Sequence, residues 1–318
     1  MKIPDIASGS KVLALGHYQP ANVVTNDDLA KTMDTNDAWI QSRVGIKERR
    51  IAPDGESVED MATIAGGKAL AASGLSPDDI DLVIVATCTL ESQIPNASAV
   101  VAHRLGINSP GAFDVNAACA GFCYALGTAN ATIRAGAARN ALVIGAEKLS
   151  QWIDWTDRST AVIFADGAGA AVVGPSETPG IGPVVWGSSG DKSEAISIKD
   201  RHDHLYQEGQ TVFRWATTAL HPVALEACAK AGVDPSELAA FVPHQANLRI
   251  IESIARKLGA DKAVIARDIV TAGNTSAASI PLALSRMLER GEVRSGDLAL
   301  VLGFGAGLTY AGQVIEIP

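Results

Sequence analysis

At 318 residues, 47% hydrophobic and 19% charged, the chain has enough apolar content for one large core or two fused cores. A net charge of −9 with no long basic run argues against nucleic-acid binding as its main task, and no stretch of about 18 uncharged apolar residues marks a membrane span. Residues 1–16 lack the marks of a secretory signal, and the four cysteines make neither a disulfide framework nor a metal knuckle. The expectation is a cytoplasmic protein with reduced thiols and no metal site.

The predicted elements repeat one plan. Residues 69–74 end a helix, Pro77 opens a turn and residues 81–86 (DLVIVA) read as a buried strand; residues 229–232, Pro235 and residues 238–242 do the same, with Gly74 to Gly232 and Pro77 to Pro235 both offsets of 158. Cys119 lies 17 residues before Gly136, which ends an Ala-rich helix, and Asn274 lies 17 before Gly291, which ends another. Apolar strands follow at 141–145 (ALVIG) and 298–302 (LALVL), so Cys119 and Asn274 are expected in matching strand-to-helix turns. Alternating strands and helices with near-continuous apolar strands imply sheets covered on both faces. Two such units sharing a helical layer predict a five-layer α/β/α/β/α sandwich, with halves at 1–180 and 181–318. Residues 186–210, rich in Gly, Ser and charge, read as an irregular excursion of the kind that often carries function.

Four places can carry chemistry. Residues 111–121 (GAFDVNAACAG) put Cys119 at a helix start, where unsatisfied N–H groups and the helix dipole favour a thiolate nucleophile. The plain alternative is a small core residue, the reading given to Cys88, Cys123 and Cys228. His244, in residues 242–247 (VPHQAN), follows a buried strand at the sheet edge where ligands bind in open α/β folds, although a locally satisfied histidine is equally compatible. Asn274, in residues 273–276 (GNTS), offers two amide donors or an ordinary helix cap. Residues 302–308 (LGFGAGL) set Phe304 in a glycine-rich loop, a weak signal alone.

Together these segments resemble one family. Residues 34–52 (DTNDAWIQSRVGIKERRIA), 117–122 (AACAGF), 164–173 (FADGAGAAVV), 242–250 (VPHQANLRI), 273–279 (GNTSAAS) and 303–312 (GFGAGLTYAG) are similar, in order and spacing, to the thiolase-fold condensing enzyme β-ketoacyl-acyl carrier protein synthase III. The resemblance implies that Cys119 takes an acyl group from an acyl-CoA starter. It implies that His244 and Asn274 stabilise the enolate formed when malonyl-acyl carrier protein loses CO2, with no metal or redox cofactor. By the same resemblance the backbone N–H groups of Cys119 and Ala306 hold the oxyanion and Phe304 shields the site. Thr35, Trp39, Arg43 and Arg158 contact CoA, Trp39 and Arg158 by stacking on the adenine. Ile94 reaches into a partner's acyl pocket in a homodimer.

Arg249, Arg256 and Lys257 lie on one predicted helix, and with Arg214 and the segment Gln245, Ala246, Asn247 and Leu248 they are assigned to the acidic carrier protein. A solvated helix face is the plain alternative. Three rival readings remain: a polyketide-priming ketosynthase sharing every motif, a cysteine hydrolase of thioesters with His244 as base, and a silent binding protein. A requirement for a malonyl thioester separates the condensing enzymes from the other two. The starter chain is left open.

Overall fold

The computed structural model describes residues 7–200 and 202–318. The first sheet holds β1 (Gly9–Tyr18), β2 (Leu82–Ala86), β3 (Gly111–Val115), β4 (Ala141–Lys148) and β5 (Asp166–Ser176), in the order β1-β5-β4-β2-β3. The second holds β6 (Val185–Gly187), β7 (Ala240–Pro243), β8 (Val264–Ile265), β9 (Leu298–Gly305) and β10 (Thr309–Glu316), in the order β6-β10-β9-β7-β8. The two orders are the same, strand for strand. In each sheet the three strands β3, β2 and β4 (β8, β7 and β9 in the second) pair in parallel, and one strand, β5 (β10), pairs antiparallel with its neighbours on both sides.

Why the strands read as unbroken apolar runs is now visible. Ile84 of β2 faces the middle of the molecule while Val83 and Val85 face outward, and all are buried. On β9, Ala299 and Val301 face the middle while Leu300, Leu302 and Phe304 face the other way. The middle layer is formed by helix α1 (Gly121–Arg134) and helix α2 (Ser279–Glu289), which pack between the sheets through Phe122, Leu126, Ile280 and Leu284. Helices Val58–Ser73 and Ala97–Arg104 cover the outer face of the first sheet, and Gly209–Ala231 and Leu248–Leu258 cover that of the second. The five-layer α/β/α/β/α sandwich is the architecture found.

The expected pairing of Cys119 with Asn274 holds for the turns but not for the residues. Each buried helix is entered through one 3-10 turn, Ala118–Ala120 before α1 and Ser276–Ala278 before α2. Both turns start on a non-glycine residue in the left-handed region, Ala118 at φ 45° and Ser276 at φ 48°. Such a backbone costs an L-residue roughly 1–2 kcal/mol. From Ala118 to Ser276 is an offset of 158, the same as for the flanking turns. In that register Asn274 matches Asn116, and each asparagine Oδ1 accepts the N–H two residues on, of Ser276 at 2.8 Å and of Ala118 at 3.2 Å. Cys119 matches Ala277. Counting back from the terminal glycines misses this because α2 has 11 residues and α1 has 14, close to one turn more.

The turns are seated on the opposite sheets through glycines. A Cβ on Gly145 of β4 would strike the Ala277 carbonyl, and one on Gly303 of β9 would lie 2.9 Å from the Ala120 Cα. A Gly145→Ala variant is therefore expected to lose about 1–3 kcal/mol in chemical denaturation through overpacking. Gly55→Ala, with nothing within 4 Å of the new Cβ, should be near neutral. Equal stability of the two variants would show that the halves are not held at this distance.

Candidate active site

The strand-to-helix turns of both halves open into one cavity of about 970 Å³. Its wall carries the buried His244, Asn274, Ser276, Phe304 and Gly305 with the partly buried Cys119, and its exposed rim carries Arg43, Arg214 and Arg249. Ile196, Ile198 and Leu205 from the irregular excursion supply an apolar wall; within that stretch, Arg201 lies outside the described residues.

Cys119 sits in the 3-10 turn, two residues before α1. Gly305 rests against it so closely that a Cβ there would lie 2.7 Å from the Cys119 Cβ and 2.9 Å from its backbone N. Ala306 follows and lines the cavity. The thiolate expected from the helix start is not the resting form. Burial pushes the Cys119 thiol up to about 12, with the Glu147 carboxyl raising it further and the Ser276 hydroxyl drawing it down. A rise from 9.0 to about 12 corresponds to about 4 kcal/mol, against about 2 kcal/mol at most for a helix dipole. Burial wins, and the thiol is neutral.

His244 is only 2% exposed at the end of β7, and burial drives its ring down to about 3, so it is neutral at physiological pH. Its Nδ1 lies 2.7 Å from the Ser279 hydroxyl, the first residue of α2. The serine oxygen also accepts the Gln245 N–H at 3.2 Å, which holds the hydroxyl beside Nδ1. Phe304 packs edge-on against the imidazole at 5.2 Å between centroids. Asn274, with Oδ1 occupied by the Ser276 N–H, has its NH2 group free of that bond.

The nucleotide-side residues are assembled differently. Trp39 and Arg43 line the main cavity, with the Arg43 guanidinium 5.8 Å from the indole. Arg158 borders a neighbouring recess, stacks on Trp39 at 4.9 Å and donates to the Asp34 carbonyl at 2.8 Å. As they stand the two leave no room for a ring between them. Thr35 does not line the cavity, and its hydroxyl is buried without a hydrogen-bond partner among the described residues. Ile94 is 84% exposed and away from this chain's cavity.

The basic segment divides. Arg214 and Arg249 stand at the rim, Arg249 over the Phe213 ring at 5.0 Å, and Ala246 and Asn247 line the opening. Gln245 does not belong with them. It is buried, with Nε2 donating to the Pro243 and Ala266 carbonyls and Oε1 accepting the Ile269 N–H, so it ties loops together and presents nothing outward. Leu248 packs inward, against the satellite core and Gly45. Lys257 reaches the Thr217 carbonyl of the adjacent helix at 2.5 Å, and Arg256 is exposed farther along the helix.

Several site residues escape sequence reasoning. Cys88, read there as packing, lines the cavity at the end of β2, while Cys123 and Cys228 are core as expected. Ser276 and Ser279 were inside a recognised motif without an assigned task. Glu147, a fully buried carboxyl at the end of β4, was passed over although an acidic residue closing an apolar strand is itself a signal.

Comparison with known proteins gives the family and the fold. The family 3-oxoacyl-[acyl-carrier-protein] synthase III matches residues 113–190, and its C-terminal region matches residues 228–317. β-Ketoacyl-[acyl-carrier-protein] synthase III 4 of Streptomyces coelicolor is 56% identical over 313 residues, covering 98% of this chain and 99% of that one. The priming β-ketosynthase of the R1128 polyketide pathway superposes with a TM-score of 0.97 at 43% identity, over 100% of this chain and 98% of its own. 3-Oxoacyl-[acyl-carrier-protein] synthase III of Aquifex aeolicus gives 0.92 at 43% identity, over 97% and 100%.

A neutral His244 has a measurable consequence. Its ring resonances should stay unchanged from pH 8 to pH 5. The unfolded chain takes up a proton near 6.5 that the folded site refuses down to about 3, so this group's contribution to stability is complete above pH 6.5 and is lost as pH falls through that window. A titration of His244 with a midpoint near 6.5 in the folded protein would contradict this.

Proposed function

The chain belongs to the 3-oxoacyl-[acyl-carrier-protein] synthase III family and is an acyltransferase of the condensing type; from that premise we propose that Cys119, His244 and Asn274 perform its two half-reactions. An acyl-CoA acylates Cys119, CoA leaves, and malonyl-acyl carrier protein then loses CO2 and attacks the acyl-enzyme to begin a fatty-acid chain. The observation that carries this reading is the meeting of these three residues on the wall of one cavity, from turns of both halves.

Each role follows from local physics. The tetrahedral oxyanion of acylation needs donors already in place, and the Cys119 and Ala306 N–H groups are assigned that task. Gly305 keeps the two backbones close, since a side chain there would push Cys119 away. Decarboxylation leaves an enolate on the malonyl thioester oxygen. His244 Nε2–H and the Asn274 amide are neutral donors, so they stabilise charge that develops in the transition state without binding the substrate carboxylate as a cation would. Phe304, buried against His244 and Trp215, supplies an apolar surface that favours release of CO2.

The CoA nucleotide is assigned to Trp39, Arg43 and Arg158, with Arg158 swinging off Trp39 to admit the adenine; Thr35 is a neighbour. For the carrier protein, Arg214 and Arg249 at the rim are the strongest contacts, and Arg256 and Lys257 are outlying. A homodimer fits the exposed edge strand β3, where Phe113 is 39% exposed, together with the exposed Ile94 nearby in sequence to its partner strand β2. A cytoplasmic location is the companion proposal; no helix among the described residues is long and apolar enough to cross a membrane. A second reading, priming of a polyketide chain, is favoured by the close superposition on the priming ketosynthase. The chemistry at Cys119 is the same in both, and a panel of acyl-CoA starters followed by the fate of the product decides between them.

Incubation with labelled acyl-CoA should place one acyl group per chain on Cys119, and Cys119→Ser should retain a trace at most. Asn274→Ala should keep self-acylation within a few-fold while losing decarboxylation and condensation by about 10²-fold or more, as for loss of one oxyanion donor. Label on Cys88 in place of Cys119, or parallel loss of both half-reactions in a folded Asn274 variant, would overturn these assignments. Arg249→Glu should raise the KM for malonyl-acyl carrier protein and flatten its salt dependence, because rim charges act mainly on association and are screened by salt. Unchanged carrier kinetics at low salt would remove Arg249 from the docking face.

A further inference from the structure

The enolate oxygen needs two donors, and they stand on separate pieces of chain. His244 follows the end of β7, while Asn274 follows β8 and the short helix Ile269–Ala272. β7 and β8 pair only through Ala240–Val264 and Phe241–Ile265, and their last backbone bond runs from the Ala266 N–H to the Phe241 carbonyl at 3.0 Å. In a parallel ladder of this register the next donor, to the Ala266 carbonyl, would be the N–H of residue 243. That residue is Pro243, which has none. A side chain takes its place. Gln245 is 1% exposed, and its Nε2 donates to the Ala266 carbonyl at 3.3 Å and to the Pro243 carbonyl at 2.7 Å. Its Oε1 accepts the Ile269 N–H at 3.1 Å. Among the described residues, the bonds to Ala266 and Ile269 are the hydrogen bonds that join residues 243–247 to residues 266–274.

The orientation of this amide is fixed, because all three partners are backbone groups: two carbonyls that can only accept and one N–H that can only donate. The same residue acts on both enolate donors. Its backbone N–H donates to Ser279 Oγ at 3.2 Å, and that hydroxyl lies 2.7 Å from His244 Nδ1. Its side chain holds Ile269, whose own carbonyl accepts the Gly273 N–H at 3.1 Å, so the turn that delivers Asn274 hangs from it. Other bonds tie each donor to a different neighbour. The His244 N–H goes to the Leu302 carbonyl of β9 at 2.8 Å, and the Asn274 N–H goes to the Ile163 carbonyl of the first half at 3.0 Å. Gln245 is what ties the two to each other.

We propose that Gln245 is a positioning residue for decarboxylation, spacing His244 and Asn274 so that both donors reach one enolate oxygen. It touches neither substrate nor reacting atoms. Fixed donors stabilise a developing charge only when both already stand in place, and a misplacement of about 1 Å can cost about 10²-fold in rate. Acylation is assigned to Cys119 and the Ala306 N–H, which lie on the turn before α1 and the loop after β9, outside the segments that Gln245 joins. Loss of its amide therefore strikes one half-reaction and spares the other. A glutamate at this position keeps the shape and makes the donor depend on pH. Protonated, its carboxyl gives one hydrogen to a carbonyl and still accepts the Ile269 N–H; ionised, it gives none and faces two carbonyl oxygens. Burial and those oxygens raise the pKa of such a carboxyl far above its ordinary range. The titratable neighbours along the chain are His244 and Asp268, the latter paired with Arg286 and Arg290; the wild type has them too, so each variant is read as a ratio to it.

The inference rests on the proposed roles of His244 and Asn274, and the test keeps the two separate. Self-acylation by acyl-CoA, and decarboxylation of malonyl-acyl carrier protein and of malonyl-CoA, are measured for the wild type, Gln245→Met and Gln245→Glu. Gln245→Met, unbranched and of similar length, should lose at least about tenfold in kcat for decarboxylation of either malonyl thioester. Its KM values and its self-acylation should stay within about threefold of wild type, a split that a merely structural role does not produce. In Gln245→Glu the decarboxylation ratio to wild type should fall as pH rises from 6 to 9 while the acylation ratio stays level. Parallel loss of both half-reactions in a folded Gln245→Met would overturn the proposal. So would a rise in KM confined to malonyl-acyl carrier protein, which marks a docking residue, or a level decarboxylation ratio across the pH range in Gln245→Glu. Should Gln245→Met fail to melt cooperatively, Gln245→Glu alone decides, because it is compared with itself from one pH to the next. If the wild type decarboxylates no malonyl thioester, the functional reading fails on its own; displaced His244 ring resonances in folded Gln245→Met then still support the positioning contact, and unchanged ones overturn it.

Discussion

The contact on which the site depends is reciprocal. The turn that carries Cys119 rests on Gly303 of the second sheet, and the turn that follows Asn274 rests on Gly145 of the first. Each glycine removes one side chain where two backbones must touch. Because the contact is made twice around the pseudo-twofold relation, the two turns are fixed relative to each other as well as to the sheets. Cys119 is thereby placed against Gly305, and Ser276 is carried across the molecular middle to Glu147 on the opposite half. No single half holds a complete site.

Within that frame the polar groups are neutral or unpaired by design of their surroundings. Desolvation is the first cause of every shift at the centre: it raises Cys119, Cys88 and Glu147 and lowers His244. Charge is then introduced by the substrates, as an oxyanion in one half-reaction and an enolate in the other. A site already crowded with ions would have to reorganise around each new charge, whereas fixed neutral donors need only remain where packing has put them. Ser279 holds His244, Ser276 N–H holds Asn274, and Phe304 closes the remaining face.

The sequence carried the fold in its periodicity. Buried strands such as β2 and β9 have apolar residues on both faces, and the turn signals around Pro77 and Pro235 recur at the same offset. Three of the central side chains were legible through motifs, because His244, Asn274 and Phe304 sit in short segments of unusual composition. What was hidden depends on three-dimensional convergence. Glu147 meets Ser276 across 129 positions of chain, and Cys88 becomes a wall residue only because β2 lies beside β4. Gln245 shows the opposite failure: an amide beside an exposed helix start reads as a docking group, yet its side chain turns inward to satisfy buried backbone. The residue-level match of the two halves was obscured by one missing turn in α2, a length difference that a count from either end resolves differently.

The stacking of Arg158 on Trp39 has a bearing on the order of events at the rim. On the proposed assignment of the nucleotide to this pair, an arriving adenine would displace a guanidinium that already satisfies the indole face and the Asp34 carbonyl, so part of the contact energy would be spent on exchange and the nucleotide held less tightly than an open slot would hold it. In a two-stage reaction through one opening, the first leaving group has to clear the passage before the second partner can enter. On the same assignment, a clamp that re-closes on itself would hasten that departure: the empty rim would compete with its own ligand, and turnover would gain from a product that is easily let go.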